Sequence, residues 1–377
     1  MPAVSSVYVH APFCARRCLY CDFAVQVRRR GDAASWLAAL AGELRGVEAE
    51  GLFTLGDELR TLYVGGGTPS LLGAEAMAGL ADVLGRERLL APGLEWTAEA
   101  NPESLTGEVA RAWRAAGVNR LSLGAQTFHE PALRWMGRLH GPAGAVEAVA
   151  AARDAGIANV SVDLIFGLPA HLGRSWTEDL EKVLALDVPH VSLYGLSVES
   201  ATPLGRAVRE GREAPVDEDR YGEEFLEAAR ALTGAGYHHY EVSNFARPGY
   251  ESRHNRVYWE GAPYLGLGNG AHSYSPPVRR WNLRDWEDYS RMASSGAVPD
   301  EGREELDAAA QRLERIWLGL RTSDGLPLDG LPAQARSTVA SWAARGWAEA
   351  PGDDAVLTAE GWLLLDRLAV ELDEACG

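Results

Sequence analysis

The stretch HAPFCARRCLYCDFAV, His10–Val25, places three of the chain's four cysteines within eight residues. Cys14, Cys18 and Cys21 stand as C-x3-C-x2-C, and Cys376 is distant from them. In a reducing compartment three such neighbours read as metal ligands rather than as a disulfide framework. Cysteine thiolates are the usual ligands of a cubane 4Fe–4S cluster, and a short loop of this spacing can wrap one face of it. Three thiolates would hold three irons and leave the fourth open. Two plainer readings stand beside this one: a three-thiolate zinc site completed by a histidine such as His10, and unliganded thiols.

The loop follows a β-like run, Val7–His10. Five more β-like runs come after it: Thr61–Gly66, Glu95–Ala100, Arg120–Gln126, Asn159–Gly167 and His190–Leu196. Helical patterns separate them, at 33–50, 74–84, 106–116, 144–155 and 175–186. Six β-α units at roughly thirty-residue spacing predict an α/β fold with a helix-covered parallel sheet. Their Val, Leu and Ile content predicts burial on both faces. Six units fall short of a full eightfold barrel, so a partial (β/α)6 TIM-like barrel is expected, with a doubly wound sheet as the alternative. In either fold, ligands gather at the C-terminal strand ends.

Those ends carry polar residues. Gly65-Gly66-Gly67-Thr68-Pro69 closes the second run. Its glycines let backbone N–H groups approach a ligand, and Thr68 adds a hydroxyl. Glu99, Gln126 and Asp163 end the third, fourth and fifth runs, where buried polar groups need partners. Arg138 could bring a positive charge to the same mouth.

Beyond Thr202 the pattern changes. A charged helix is expected at 219–235, then a run of aromatics and histidines from Tyr237 to Trp286. From Glu304 the order reads helix, helix, hairpin at Glu349–Leu357, helix, which is winged-helix-like. That small α+β stretch is not basic and is expected to pack or to contact a partner. Three segments result: a core over 1–200, an extension over 201–300 and a C-terminal domain over 301–377. A net charge of −17 argues against nucleic-acid binding. Arg28-Arg29-Arg30 reads as a solvated loop. No signal peptide and no membrane-spanning stretch is read, so the expected location is cytoplasmic, with peripheral docking at a membrane left open.

The cysteine spacing together with Gly65–Pro69 resembles the radical S-adenosylmethionine (SAM) superfamily. NRLSLGAQTF, DLIFGLP, YEVSNFA and HNRVYW narrow the resemblance to its coproporphyrinogen dehydrogenase-like branch, and within that to the HemW-type heme chaperones. The matching segments run from Tyr8 to Ser273. The resemblance implies that Cys14, Cys18 and Cys21 hold the cluster and that SAM chelates the open iron. It implies SAM contacts for Tyr8, Tyr20, Gly66, Gly67, Thr68, Glu99, Gln126, Arg138, Asp163, Ser197 and His272. His254, Asn255, Tyr258 and Trp259 match a motif tied to heme, with His254 an axial-ligand candidate and His238, His239 and His272 its competitors. Reductive SAM cleavage, fed by an electron donor, is left undecided. The porphyrinogen enzyme has a fourth cysteine where this chain has Phe23, and it carries a longer segment ahead of its first strand. Both differences favour a chaperone in porphyrin metabolism, delivering heme to heme-requiring proteins, over an oxidoreductase acting on a tetrapyrrole. An interaction protein with a degenerate barrel is the third reading, opposed by the intact polar strand ends.

Overall fold

A computed structural model describes residues 3–350 and 352–377. Six parallel strands form its centre: β1 (Ser6–Ala11), β2 (Thr61–Gly66), β3 (Glu95–Ala100), β4 (Arg120–Gln126), β5 (Asn159–Phe166) and β6 (His190–Gly195). They lie side by side in chain order. The connecting helices Ala33–Ala49, Ala76–Leu84, Gly107–Ala116, Gly144–Asp154 and Trp176–Ala185 fall within two residues of the expected ranges. Three of them begin on hydroxyl or carboxylate caps, Asp32, Thr106 and Ser175, each accepting a backbone N–H of the first turn.

Burial on both strand faces is observed, but the two faces differ in chemistry. Val7, Val9, Leu62, Val64, Leu121, Leu123, Val160 and Val162 are fully buried in the apolar core. The alternate positions are polar: Tyr8, His10, Tyr63, Thr97, Glu99, Arg120, Ser122, Ser161 and Asp163. Since neighbouring side chains on a strand point to opposite faces, the concave side is a polar lumen. Its groups pair across strands. Ser122 donates to Asp163 at 3.0 Å, and Ser161 Oγ lies 2.7 Å from His190 Nδ1.

The sheet has nine strands rather than six. β7 (His238–Glu241) and β8 (Asn244–Ala246) add to the β6 edge in antiparallel fashion. β9 (Leu265–Leu267) runs parallel to β1 at the other edge. These strands were not anticipated, because they are short and interrupted by glycine, histidine and aromatic residues. Segment 201–300 is thus stitched to both edges of the core. A separate meander follows, β10 (His272–Ser275), β11 (Val278–Asn282) and β12 (Asp300–Glu305).

The C-terminal order is helix Ala308–Leu320, helix Ala333–Ala343, then helices Ala359–Trp362 and Leu365–Cys376. A bridge between Ala348 and Leu357 closes the expected hairpin, and Asp354–Ala355 also pairs with Leu326–Pro327. Within that expected hairpin, Pro351 lies outside the described residues, as do Met1 and Pro2 at the start of the chain. Arg28 of the arginine triplet is not free: it faces Glu287 at 3.3 Å and sits over the Phe13 ring. No helix among the described residues is long and apolar enough to cross a membrane.

Candidate functional site

The C-terminal strand ends enclose a cavity of about 320 Å³. Cys14, Cys18 and Cys21 line one wall of it, and Gly66, Gly67 and Thr68 lie alongside. Tyr20, Glu99, Gln126, Arg138, Asp163 and Ser197 line it as well. These twelve positions lie on the six central strands and the loops that follow them, brought together because all six strands run the same way.

The glycine loop is shaped by close approach. Gly67 donates to Ala11 O and Thr68 to Phe13 O, both at 2.8 Å. A Cβ on Gly67 would stand 2.6 Å from Ala11 O and 2.8 Å from Phe13 O, so backbone excludes any side chain. Gly66 has φ +101°, and a Cβ there would strike the His10 ring. Thr68 Oγ1 donates to Cys14 Sγ at 3.3 Å and accepts from Asn101 Nδ2 at 3.1 Å. Asn101 Oδ1 accepts from Arg138 at 2.7 Å, and the same guanidinium reaches Gly124 O and approaches Cys18 Sγ at 3.8 Å. A hydrogen-bonded chain therefore runs from one cysteine to another around the cavity floor.

Asn101, Gly124 and Ser122 are members of this floor that sequence reasoning missed. Asn101 stands two residues beyond Glu99, the strand-period signal that could have found it. Gly124 makes room: a Cβ there would meet Gln126 Nε2 at 2.7 Å, and Asn101 and Arg138 close behind. Gln126 itself has φ +69°, a left-handed conformation that non-glycine residues rarely hold.

The carboxylates are held back from ionisation. Glu99 accepts from Tyr63 OH at 2.8 Å and Gly66 N at 3.0 Å, yet burial pushes its pKa up to about 7. Asp163 is raised for the same reason. A buried carboxyl of this kind favours a cationic partner that restores its charge. Burial also pushes the Cys14 thiol up to about 11, with Thr68 opposing it. A bound metal reverses that preference, since a coordinating thiol is deprotonated outright.

The residues present fit a cluster and SAM. Three half-buried soft donors on one loop face one cavity with a buried acid opposite. Arg138 Nε is buried without a hydrogen-bond partner. No three His, Cys, Asp or Glu side chains among the described residues are already gathered as a closed metal site. The zinc reading with His10 does not fit. His10 Nε2 lies 3.0 Å from Ala24 O and so carries the proton, while Nδ1 lies 3.1 Å from Tyr8 OH. Neither nitrogen is free, and burial holds the pKa down to about 4.

Two of the expected SAM contacts, Tyr8 and His272, line an adjoining cavity, which shares Phe23, Gly66 and Glu99 with the first. The heme motif divides further. His254, Asn255, Tyr258 and Trp259 lie on one short helix, Arg253–Trp259. His254 is fully buried against the lumen. Its Nδ1 lies 2.8 Å from Thr61 Oγ1 and its Nε2 2.9 Å from Tyr258 OH. Both ring nitrogens of His254, the expected axial-ligand candidate, are thus engaged inside the fold. Its ring stacks on Tyr63 at 5.3 Å, while Glu95 takes the N–H groups of Arg253 and His254. The helix plugs the lumen. Tyr258 faces the second cavity; Trp259 faces away, under Arg321. His238 and His239 are likewise engaged, His238 with Ser323 and His239 with Val242 O.

A radical SAM superfamily model matches residues 8–183. The heme chaperone HemW of Mycobacterium tuberculosis is 39% identical over 365 residues, 96% of this chain and 93% of that protein. The heme chaperone HemW of Lactococcus lactis is 37% identical over 322 residues, 85% and 83% of the two chains. The solved coproporphyrinogen III oxidase HemN of Escherichia coli superposes with a TM-score of 0.79 at 24% identity, covering 98% of this chain and 90% of its own. That last likeness concerns the fold, and it bears out the partial barrel. With three cysteines on the first strand's loop and relatives matched along nearly its whole length, the chain belongs to the HemW family of the radical SAM superfamily.

Proposed function

We propose that the chain is a heme chaperone that carries a 4Fe–4S cluster and SAM and passes heme to recipient proteins. The observation that carries the reading is the cysteine-lined cavity, where a three-thiol loop, a glycine cradle and a buried acid converge on one space. Cys14, Cys18 and Cys21 would hold the cluster. Gly66, Gly67, Thr68, Glu99, Gln126, Arg138 and Asp163 would hold SAM, with Tyr20 and Ser197 at the rim. The cluster and SAM, when bound, supply one-electron reductive chemistry fed by an electron donor.

The chain's own residues orient and shield. Arg138 places positive charge between Cys18 and Asn101, which suits a carboxylate or two thiolates. Glu99, whose ionisation burial holds back to about 7, is favoured in its charged form beside an ammonium group. The aromatic ring of Tyr20 at the rim suits an adenine face. Recipient proteins, cytoplasmic location and peripheral membrane docking belong to the same reading.

The test is anaerobic reconstitution followed by two separate additions. Hemin should bind stoichiometrically. Coproporphyrinogen III with SAM and a reductant should stay unconverted; vinyl groups formed at a catalytic rate would replace the chaperone by an oxidoreductase.

A further inference from the structure

Beside the cysteine cavity opens a second one of about 550 Å³. Phe23, Gly66 and Glu99 line both, so a single wall separates them. Rings form much of its remaining lining. Tyr258 and Tyr264 meet edge to face at 4.7 Å, and Tyr8 stands nearby. Phe23 is 60% exposed, a large apolar face turned to open space. His272 and Arg284 complete the mouth.

His272 differs from the other histidines. The chain has nine. Eight of them engage a carbonyl, a hydroxyl or a carboxylate through the ring. The exposed ring of His272 has no such partner among the described residues and only stacks on Trp281, at 5.8 Å and 25°. Partial burial and the guanidinium groups of Arg279 and Arg284 push its pKa down, which keeps the imidazole neutral and its lone pair available.

We propose, resting on the chaperone reading above, that this second cavity is the heme seat and that His272 is the axial ligand of the iron. Aromatic walls suit the flat apolar faces of a porphyrin. A neutral imidazole is a fitting iron ligand. Arg284 Nη2 now donates to Asp22 O at 2.6 Å and stands 3.8 Å from the Asp22 carboxylate. It can turn to a propionate, while Asp22 and Glu199 keep anionic groups from the rest of the rim. One protein ligand leaves the opposite face of the iron open to a recipient. His254 then has a different part. It holds Tyr258 by the hydrogen bond between its Nε2 and Tyr258 OH, and so fixes one wall as a positioning residue.

Hemin titration into the cluster-loaded protein tests this, read by the Soret band and by electron paramagnetic resonance of the ferric heme. His272→Ala should change the spin-state signature and weaken binding by about tenfold or more. Free imidazole should restore the signature. His254→Gln should keep the wild-type ligation signature while weakening binding, and Phe23→Ala should do the same. Saturating SAM should leave hemin affinity unaltered. If the wild type binds hemin and His272→Ala matches it in spectrum and affinity, the assignment is overturned and the chaperone reading survives. Competition between SAM and hemin would overturn it too, by moving heme to the cysteine cavity. A wild type that binds no hemin overturns the chaperone reading itself.

Discussion

The two cavities share a wall but are built on different plans. The cysteine cavity is assembled from successive β-α loops at one end of a parallel sheet, and each loop adds its own polar groups. The aromatic cavity draws on β1, the helix Arg253–Trp259, the turn before β10 and the loop after β11, pieces far apart in the chain. The first depends on strand order alone. The second depends on a short edge strand, β9, lying correctly against β1. One is therefore supported by the deep core and the other by the margin of the sheet, where few residues carry the contact.

Two glycine substitutions separate them. Gly266 is the middle of β9, and a Cβ there would lie 2.0 Å from His272 O. Gly266→Ala must push β10 away from β9, at a cost of about 3 kcal/mol or more. The variant should lose hemin affinity while still taking up iron and sulfide on reconstitution. Gly67→Ala meets backbone at 2.6 Å and should cost about 2 kcal/mol. It should lose the cluster and keep hemin. Equal loss of both ligands in either variant would show that the cavities form one unit.

This contrast also explains what could be read from the chain beforehand. The groups Glu99, Gln126 and Asp163 were legible because each is a polar residue in the second half of a β-like run, and parallel topology then puts them together. The space made by Gly124 was not, since it follows from the approach of Gln126, Asn101 and Arg138, and nor was the left-handed backbone of Gln126. β9 was hidden because a three-residue Leu-Gly-Leu carries no period. His254 stood as a ligand candidate because a sequence shows the imidazole but not Thr61 and Tyr258, which hydrogen-bond to it. His272 was read as a SAM contact and as a competitor of His254, and nothing local shows that its ring is the one left without a hydrogen-bond partner among the described residues.

Acidity offers a second probe of the aromatic cavity's footing. Glu43 is fully buried behind the turn that leads to His272. It accepts from Gly268 N at 2.9 Å, Tyr289 OH at 2.6 Å and the Asn282 amide. Burial nevertheless pushes its pKa up to about 7 from an ordinary 4.5. The fold thus prefers the protonated form. Its stabilising contribution is complete below about pH 4.5 and is lost as pH rises through about 7, roughly 3 kcal/mol at most. The melting temperature should fall between pH 5 and pH 8. Glu43→Gln should be less stable at pH 5, because one carbonyl cannot serve three donors, but its melting temperature should change less over the same interval. An unchanged slope would remove Glu43 from the account.

The smallest effect tests how separate the cavities are. Asn269 Nδ2 donates to Ala24 O at 2.8 Å and to Arg284 O at 3.0 Å. Ala24 ends the cysteine loop, and Arg284 stands at the heme mouth, so this one buried amide ties the two structures. Ala24 O keeps His10 Nε2 as a partner at 3.0 Å, whereas Arg284 O depends on Asn269. Asn269→Ala should therefore cost about 1 kcal/mol. That loss should fall unevenly. Hemin affinity should drop about fivefold, and cluster content should stay near the wild-type level. Calorimetry of hemin binding beside iron and sulfide analysis would measure both. An equal decline in both would mean that His10 cannot hold the cysteine loop alone, and the shared wall would have to be treated as a coupling between the two ligands.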